Sequence, residues 1–208
     1  MIFVEIDKGF IKQYTIIKGG DCMAWIGGDR ALDQAEMENN ATIVAQYFLS
    51  LKWSRNAIAG MLANMQAEST VNPQRWEDGH SGNIDYGFGL VQWTPAENLI
   101  AWCIQTGRDY INGDDQLARI KWEFDNNQQY YQTKLYPLSF TEFSKSVESP
   151  EYLARAFCYN YERPTDIETA ADVRAGYAPF WFQFVGDISP VPTGNSMPWI
   201  FWMKKRRF

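Results

Sequence analysis

The chain is poor in the residues that build covalent or metal-centred scaffolds. Its 208 residues include three cysteines, Cys22, Cys103 and Cys158. An odd count does not close a disulfide framework, and no pair has CxxC spacing. The single histidine, His80, leaves little for a structural zinc site or a Cys–His nucleophile pair. No metal and no cofactor are therefore expected, and the cysteines read as small buried apolar residues. An excess of positive charge is also missing: 19 Lys and Arg stand against 25 Asp and Glu, for a net charge of −6 and a pI near 4.9. This balance argues against nucleic acid as a partner, and it gives no long-range attraction to an anionic polymer such as a cell wall. There is no run of 18 apolar residues to span a bilayer. Glu5 and Asp7 interrupt the stretch where a secretory signal would be apolar, so no signal peptide is expected.

Aromatic residues, by contrast, are plentiful. They make up 16% of the chain, within 46% hydrophobic and 21% charged residues, a globular composition. Such an excess serves first as core, and second as the flat surface on which sugar rings stack.

The pattern divides the chain into three. Residues 1–37 read as a β-rich extension, with short strands at Phe3-Val-Glu-Ile-Asp and Tyr14-Thr-Ile-Ile closed by Gly19-Gly20. Residues 38–185 read as a mainly helical domain. Helix starts are expected at Asn39 or Asn40, at Ser54, at a Thr94–Glu97 capping box with Pro95 at the first helical position, at Asp114, at Ser149-Pro150, and at a Thr165–Glu168 capping box. Between about 70 and 93, Gly79, Gly82, Gly87 and Gly89 break the helical period, giving loop and short strand. Residues 186–208 read as a Pro/Gly linker followed by an aromatic and basic tail, Met197-Pro-Trp-Ile-Phe-Trp-Met and Lys204-Lys-Arg-Arg. That tail suits docking on a protein partner or contact with a membrane surface.

Glu68 is the first candidate for chemistry. Ile58, Met61, Leu62 and Met65 fall on one helical face, and Glu68 extends it by one turn at the helix end. Burial raises a carboxyl pKa because the ion loses solvation, and the partial negative charge of a helix C-terminus adds to the effect. Both keep the group protonated, as a general acid requires. The glycine-rich turn that follows carries a second carboxylate, Asp85, beside Tyr86. Cleavage of a glycosidic bond uses such a pair. Gln92 and Trp93 then offer an amide and a flat face to a sugar.

These segments resemble a known family. Ala67-Glu68-Ser69-Thr70-Val71-Asn72-Pro73 resembles the Glu-Ser-x-Phe-Asn-Pro segment of the lysozyme and lytic transglycosylase superfamily. Gly87-Phe88-Gly89-Leu90-Val91-Gln92-Trp93 resembles its glycine-rich Gly-Leu-x-Gln loop. Asn64-Met-Gln-Ala-Glu68-Ser, with the later Gln92-Trp93-Thr94-Pro95, is most similar to the phage tail lysozyme family. Tyr159-Asn160 resembles a segment of goose-type and transglycosylase relatives, and Tyr161-Glu162-Arg163-Pro164 is similar to the end of tail lysozyme domains, so that the resemblance covers about residues 38–184. The resemblance implies an α+β lysozyme-like fold: a two-lobed, mainly α domain with a small β element and a substrate cleft. It implies cleavage of the β-1,4 bond between N-acetylmuramic acid and N-acetylglucosamine, with Glu68 as the acid. Asp85-Tyr86-Gly87 is similar to a segment of animal lysozymes, 17 residues after the acid as in those enzymes. Asp85 is thus the favoured second carboxylate, with Glu77 and Asp78 as rivals on the same loop. Two residues are inserted after that segment, however, and transglycosylases of the superfamily have no second catalytic carboxylate.

Gln92, Trp93, Tyr86, Tyr159 and Asn160 are the expected substrate contacts, and Trp76 is a further candidate wall for a sugar subsite. His80 reads as a loop residue and Glu162-Arg163 as a structural ion pair or cap. Bacterial peptidoglycan is the expected substrate, and phage tail proteins are the expected partners of the two extensions. The expected places of action are the virion tail, or the host cytoplasm before lysis. The rival readings are a lytic transglycosylase and a tail component that binds glycan without cutting it.

Overall fold

The computed structural model describes residues 23–188; the expected strands before Gly20 and the aromatic-basic tail after Ser189 lie outside them. Helix α1 (Gln34–Ser50) starts earlier than the sequence suggests. Its cap is Asp33, which accepts from the Glu36 amide while Glu36 reaches back to the Asp33 amide. Asn40 is no cap. It sits buried inside α1, where its side chain bonds both backbone groups of Ile26 and the carbonyl of Val71. That use stitches residues before the helix onto the domain, and a local capping pattern does not reveal it.

Helix α2 (Arg55–Ser69) is the central element, capped by Ser54 as expected. Every residue from Ala57 to Met65 is buried, so the helix is enclosed on all sides rather than along one apolar face. Alanine and glycine at the positions between Ile58, Met61, Leu62 and Met65 permit this. At Gly60 an added Cβ would lie 2.8 Å from the backbone of both Leu153 and Ala154, residues of α6 (Pro150–Phe157). Backbone cannot swing aside as a side chain can. Gly60→Ala is therefore expected to lower stability by about 1–3 kcal/mol through overpacking, more than the roughly 1 kcal/mol gained in helix propensity. A urea midpoint equal to or above wild type would show that α6 can withdraw at little cost.

Helix α6 starts on Ser149-Pro150 as expected, then widens into a single π-turn, Cys158–Glu162, closed by Arg163 N–H donating to Cys158 O at 2.8 Å. Such turns recur at functional sites. Helix α7 (Ile167–Asp187) packs on α2 and α6 through Ala171, Arg174, Ala175, Ala178, Trp181 and Val185. Its cap is Asp166 rather than a Thr165–Glu168 box. Helix α3 (Glu97–Thr106) lacks the expected Thr94 cap: the Thr94 hydroxyl bonds Gln92 O. The first free amides, Ala96 and Glu97, donate instead to the loop carbonyls of Tyr86 and Ile84. Helix α4 (Gly113–Asp125) is capped by Asn112, and α5 (Phe140–Lys145) carries a full capping box from Ser139 and Glu142.

The aromatic excess is largely core. Trp53, Phe124, Tyr130, Phe140, Phe143, Phe157 and Tyr161 form one connected cluster, with ring centroids 4.5–6.3 Å apart. The molecule is mainly α. The expected small β element is reduced, among the described residues, to isolated bridges pairing Phe88 with Trp76 and with Trp93. Among those residues no helix is long and apolar enough to cross a membrane.

Candidate active site

The end of α2 is fixed by its own sequence. Thr70 and Val71 both adopt positive φ, 57° and 55°, and turn the chain out of the helix. The Ser69 hydroxyl donates to Leu90 O at 2.9 Å and accepts from the Asn72 amide. Asn72 in turn holds the carbonyls of Gly28 and Arg30. The segment after Glu68 and the glycine-rich loop are thereby tied to each other. Gln116 on α4 completes the fastening, accepting from Leu90 N–H and donating to Pro73 O. Gly89 lies against that amide with φ +83°, and a Cβ there would come within 2.7 Å of it, so a side chain is excluded on both counts.

These constraints place Glu68 beside a cavity of about 700 Å³. Its walls come from the end of α2, the 75–78 and 91–94 segments, α4 and the π-turn. The Glu68 side chain is 19% exposed and pairs with Arg174 of α7, which is 8% exposed. Burial raises the Glu68 carboxyl above its ordinary value; Arg174 opposes this, and Glu77 adds to it.

Glu77 and Asp78 both line the cavity. The Glu77 carboxylate accepts from Gly87 N–H at 2.9 Å, which anchors it across the turn. Asp78 points mostly to solvent, 85% exposed, and pairs with Arg75. Asp85 is exposed on the loop tip and is not among the lining residues.

The expected substrate contacts divide in the same way. Gln92 and Trp93 line the cavity. The Gln92 amide donates to Arg75 O and Gly89 O, so it braces the wall it forms, and Trp93 donates to Glu123. Trp76 also lines the cavity. Tyr86 stacks on His80, centroids 3.4 Å apart, away from the lining. Tyr159 packs on Tyr136. Asn160 is fully buried and bonds Tyr130 Oη, Tyr136 O and Thr133 N–H. The structure therefore places Asn160 as a strut joining the π-turn to the 130–136 segment rather than as a cavity residue.

Three functional-looking groups escape a local reading of the sequence. Arg174 reaches Glu68 across 106 positions; its one visible sign is a cation on the otherwise apolar face of α7. Glu123, 1% exposed, accepts from Trp93 Nε1, Arg119 Nε and Tyr161 Oη. Glu162 lines the cavity but forms no ion pair with Arg163, whose guanidinium instead donates to Gln129 O and Asn160 O. Cys103 and Cys158 are buried and unpaired. Among the described residues no cluster of three or more His, Cys, Asp or Glu side chains is placed to hold a metal ion.

Glu68 thus stands partly sheltered at a helix end, on the wall of a polar cavity that Glu77, Asp78 and Glu162 also line. The family model for phage tail lysozyme matches residues 39–185, and the chain belongs to that family. Over 152 residues it is 43% identical to Morphogenesis protein 1 of Bacillus phage B103, an alignment that takes in 73% of this chain and 40% of that protein. The chain thus spans less than half the length of this curated relative.

Proposed function

We propose that the chain is a muramidase that hydrolyses the β-1,4 bond between N-acetylmuramic acid and N-acetylglucosamine in peptidoglycan, in the service of a phage. The observation that carries this reading is Glu68, a half-sheltered carboxyl with raised proton affinity on the wall of the cavity. A glycan strand would lie against Trp76, Gln92 and Trp93. Glu68 protonates the glycosidic oxygen as the carbon–oxygen bond breaks, and afterwards takes a proton from the attacking water. For the second carboxylate we favour Glu77 over Asp85. Glu77 lines the same cavity and its field reaches Glu68, whereas Asp85 stands on the exposed loop tip.

Digestion of purified peptidoglycan with mass-spectrometric reading of the products tests the reaction. Reducing muramic ends are expected. Anhydromuramic ends would make the protein a lytic transglycosylase, with the sugar's own hydroxyl replacing water. An intact wall would sink the enzymatic reading in favour of a glycan-binding tail component. Within this assay Glu77→Gln should lose about 10²-fold or more of the rate, while Asp85→Asn should stay within about threefold. The reverse order would return the role to Asp85.

A further inference from the structure

Four buried side-chain atoms among the described residues have no hydrogen-bond partner: Asn64 Oδ1, Trp102 Nε1, Glu162 Oε1 and Arg174 Nε. A buried polar atom left unpaired costs free energy. Two of the four belong to charged side chains that both interact with Glu68. Glu162 comes from the π-turn to the cavity that Glu68 lines, and Arg174 comes from α7 to bond Glu68, so three separate elements supply two carboxyls and one guanidinium to this end of the cavity. The wide turn has a geometric consequence. It directs Tyr161 inward to Glu123 and leaves Glu162 on the cavity wall, with one carboxyl oxygen withdrawn from solvent and unsatisfied.

We propose that Glu162 is a positioning residue for Glu68, the two carboxyls holding one proton in common against the single positive charge of Arg174. This rests on the reading of Glu68 as the acid. Two nearby carboxylates do not both ionise readily, and one guanidinium compensates only one of them. Burial, and then Glu68, raise the proton affinity of Glu162; Arg174 opposes them, and Glu123 and Arg163 add smaller effects of opposite sign. Glu77, which adds a smaller rise at Glu68, accepts from the Gly87 amide. Glu123 already has three donors of its own, Arg163 is engaged with backbone carbonyls, and Cys158 stands near Arg174. The proton therefore belongs to the Glu68–Glu162 pair rather than to either group alone.

The cycle balances on this arrangement. Glu68 gives the shared proton to the departing sugar oxygen, leaving two anions against one cation. That excess negative charge strengthens Glu68 as a base, and it takes a proton from the incoming water while the hydroxide joins the sugar carbon. The pair is then restored to one proton.

The test is a carboxyl-carbon NMR titration of the protein labelled in glutamate, with the Glu68 resonance identified from Glu68→Gln. In Glu162→Gln the Glu68 midpoint should fall by about one pH unit or more; in Arg174→Gln it should rise. A Glu68 midpoint unchanged in Glu162→Gln, or lowered in Arg174→Gln, would overturn the pairing. Glu162→Asp, which restores a carboxyl, should bring the midpoint back towards wild type. A carboxyl with raised folded-state affinity costs stability as pH climbs, because the folded form keeps a proton the unfolded form has released. The thermal midpoint of Glu162→Gln relative to wild type should therefore rise from about pH 4 to about pH 8; a difference that stays flat or falls counts against the proposal. On peptidoglycan, the alkaline limb of the rate profile should move to lower pH in Glu162→Gln. Should no form of the protein cut peptidoglycan, the muramidase reading fails, while the titration still decides whether the two carboxyls share a proton.

Discussion

Glu68→Gln is expected to lower the rate of peptidoglycan cleavage by about 10²–10⁴-fold while leaving the fold intact. Glutamine has the shape of glutamate, so the last turn of α2, the Ser69 bond to Leu90 and the left-handed exit at Thr70 and Val71 are undisturbed. Its amide oxygen can still accept from Arg174, which keeps that buried cation from being stranded. What disappears is the transferable proton. Stability should change little, because the carboxyl it replaces is one that burial already disfavours as an ion. The wild-type rate should fall as pH rises through the raised Glu68 value, since only the protonated form can serve the leaving oxygen. Muropeptide release and thermal denaturation, measured side by side, check both halves. A variant that retains activity within about tenfold of wild type would remove Glu68 from the chemistry. A variant that loses activity together with its folded structure would leave the chemical role unproved.

How far the sequence reaches towards this site depends on the range of the interaction. Ser54, and Ser149 followed by Pro150, mark helix starts because a cap and its amide lie within three residues. The position of Glu68 at the end of α2 is local in the same way, although α2 is enclosed on all sides over Ala57–Met65 and its apolar spacing marks no single face. Asn40 fails as a cap because tertiary contacts take its side chain elsewhere, to Ile26 and Val71, whereas the Thr94 hydroxyl is taken locally by Gln92 O. The glycine-rich loop is harder. Its glycines announce a turn, but the direction of each carboxylate depends on where the turn is anchored. The anchor is Glu77 on Gly87, a bond across ten residues with no periodic signature. Asn160 presents the opposite case. Its motif resemblance suggests a substrate contact, yet every polar atom of its side chain is occupied within the core. Arg174 reaches Glu68 from 106 positions away and Glu162 comes to the same cavity from 94 positions away, and no local pattern encodes which cation meets which anion. An ionisable residue at a position where the helical period demands an apolar one is the signal that remains, and it applies to Glu123 and Arg174 alike.

Glu123→Ala should lower stability by about 3–5 kcal/mol, which for a domain of this size corresponds to a fall of roughly 6–20 °C in the thermal midpoint. The carboxylate is 1% exposed and stands where three parts of the cavity wall meet. Arg119 of α4 donates at 2.8 Å, Trp93 of the glycine-rich segment at 2.9 Å, and Tyr161 of the π-turn at 2.5 Å. Alanine would strand all three donors: Arg119 would lose its counter-charge 13% exposed, keeping only its stacking over Trp102 and Trp122. Replacing both partners of such a pair with apolar groups can be tolerated, but deleting one leaves an uncompensated charge and unpaired donors. Glu123→Gln separates the two costs. It keeps the volume and one acceptor oxygen but sets an amide N–H against groups that can only donate, or donate by preference, so it should fall between wild type and alanine. Urea denaturation of the three proteins provides the measurement. A loss below about 1 kcal/mol in Glu123→Ala would mean that the wall rests on the aromatic core alone. The predicted loss would make Glu123 the joint through which the π-turn is held in place, and Glu162 with it.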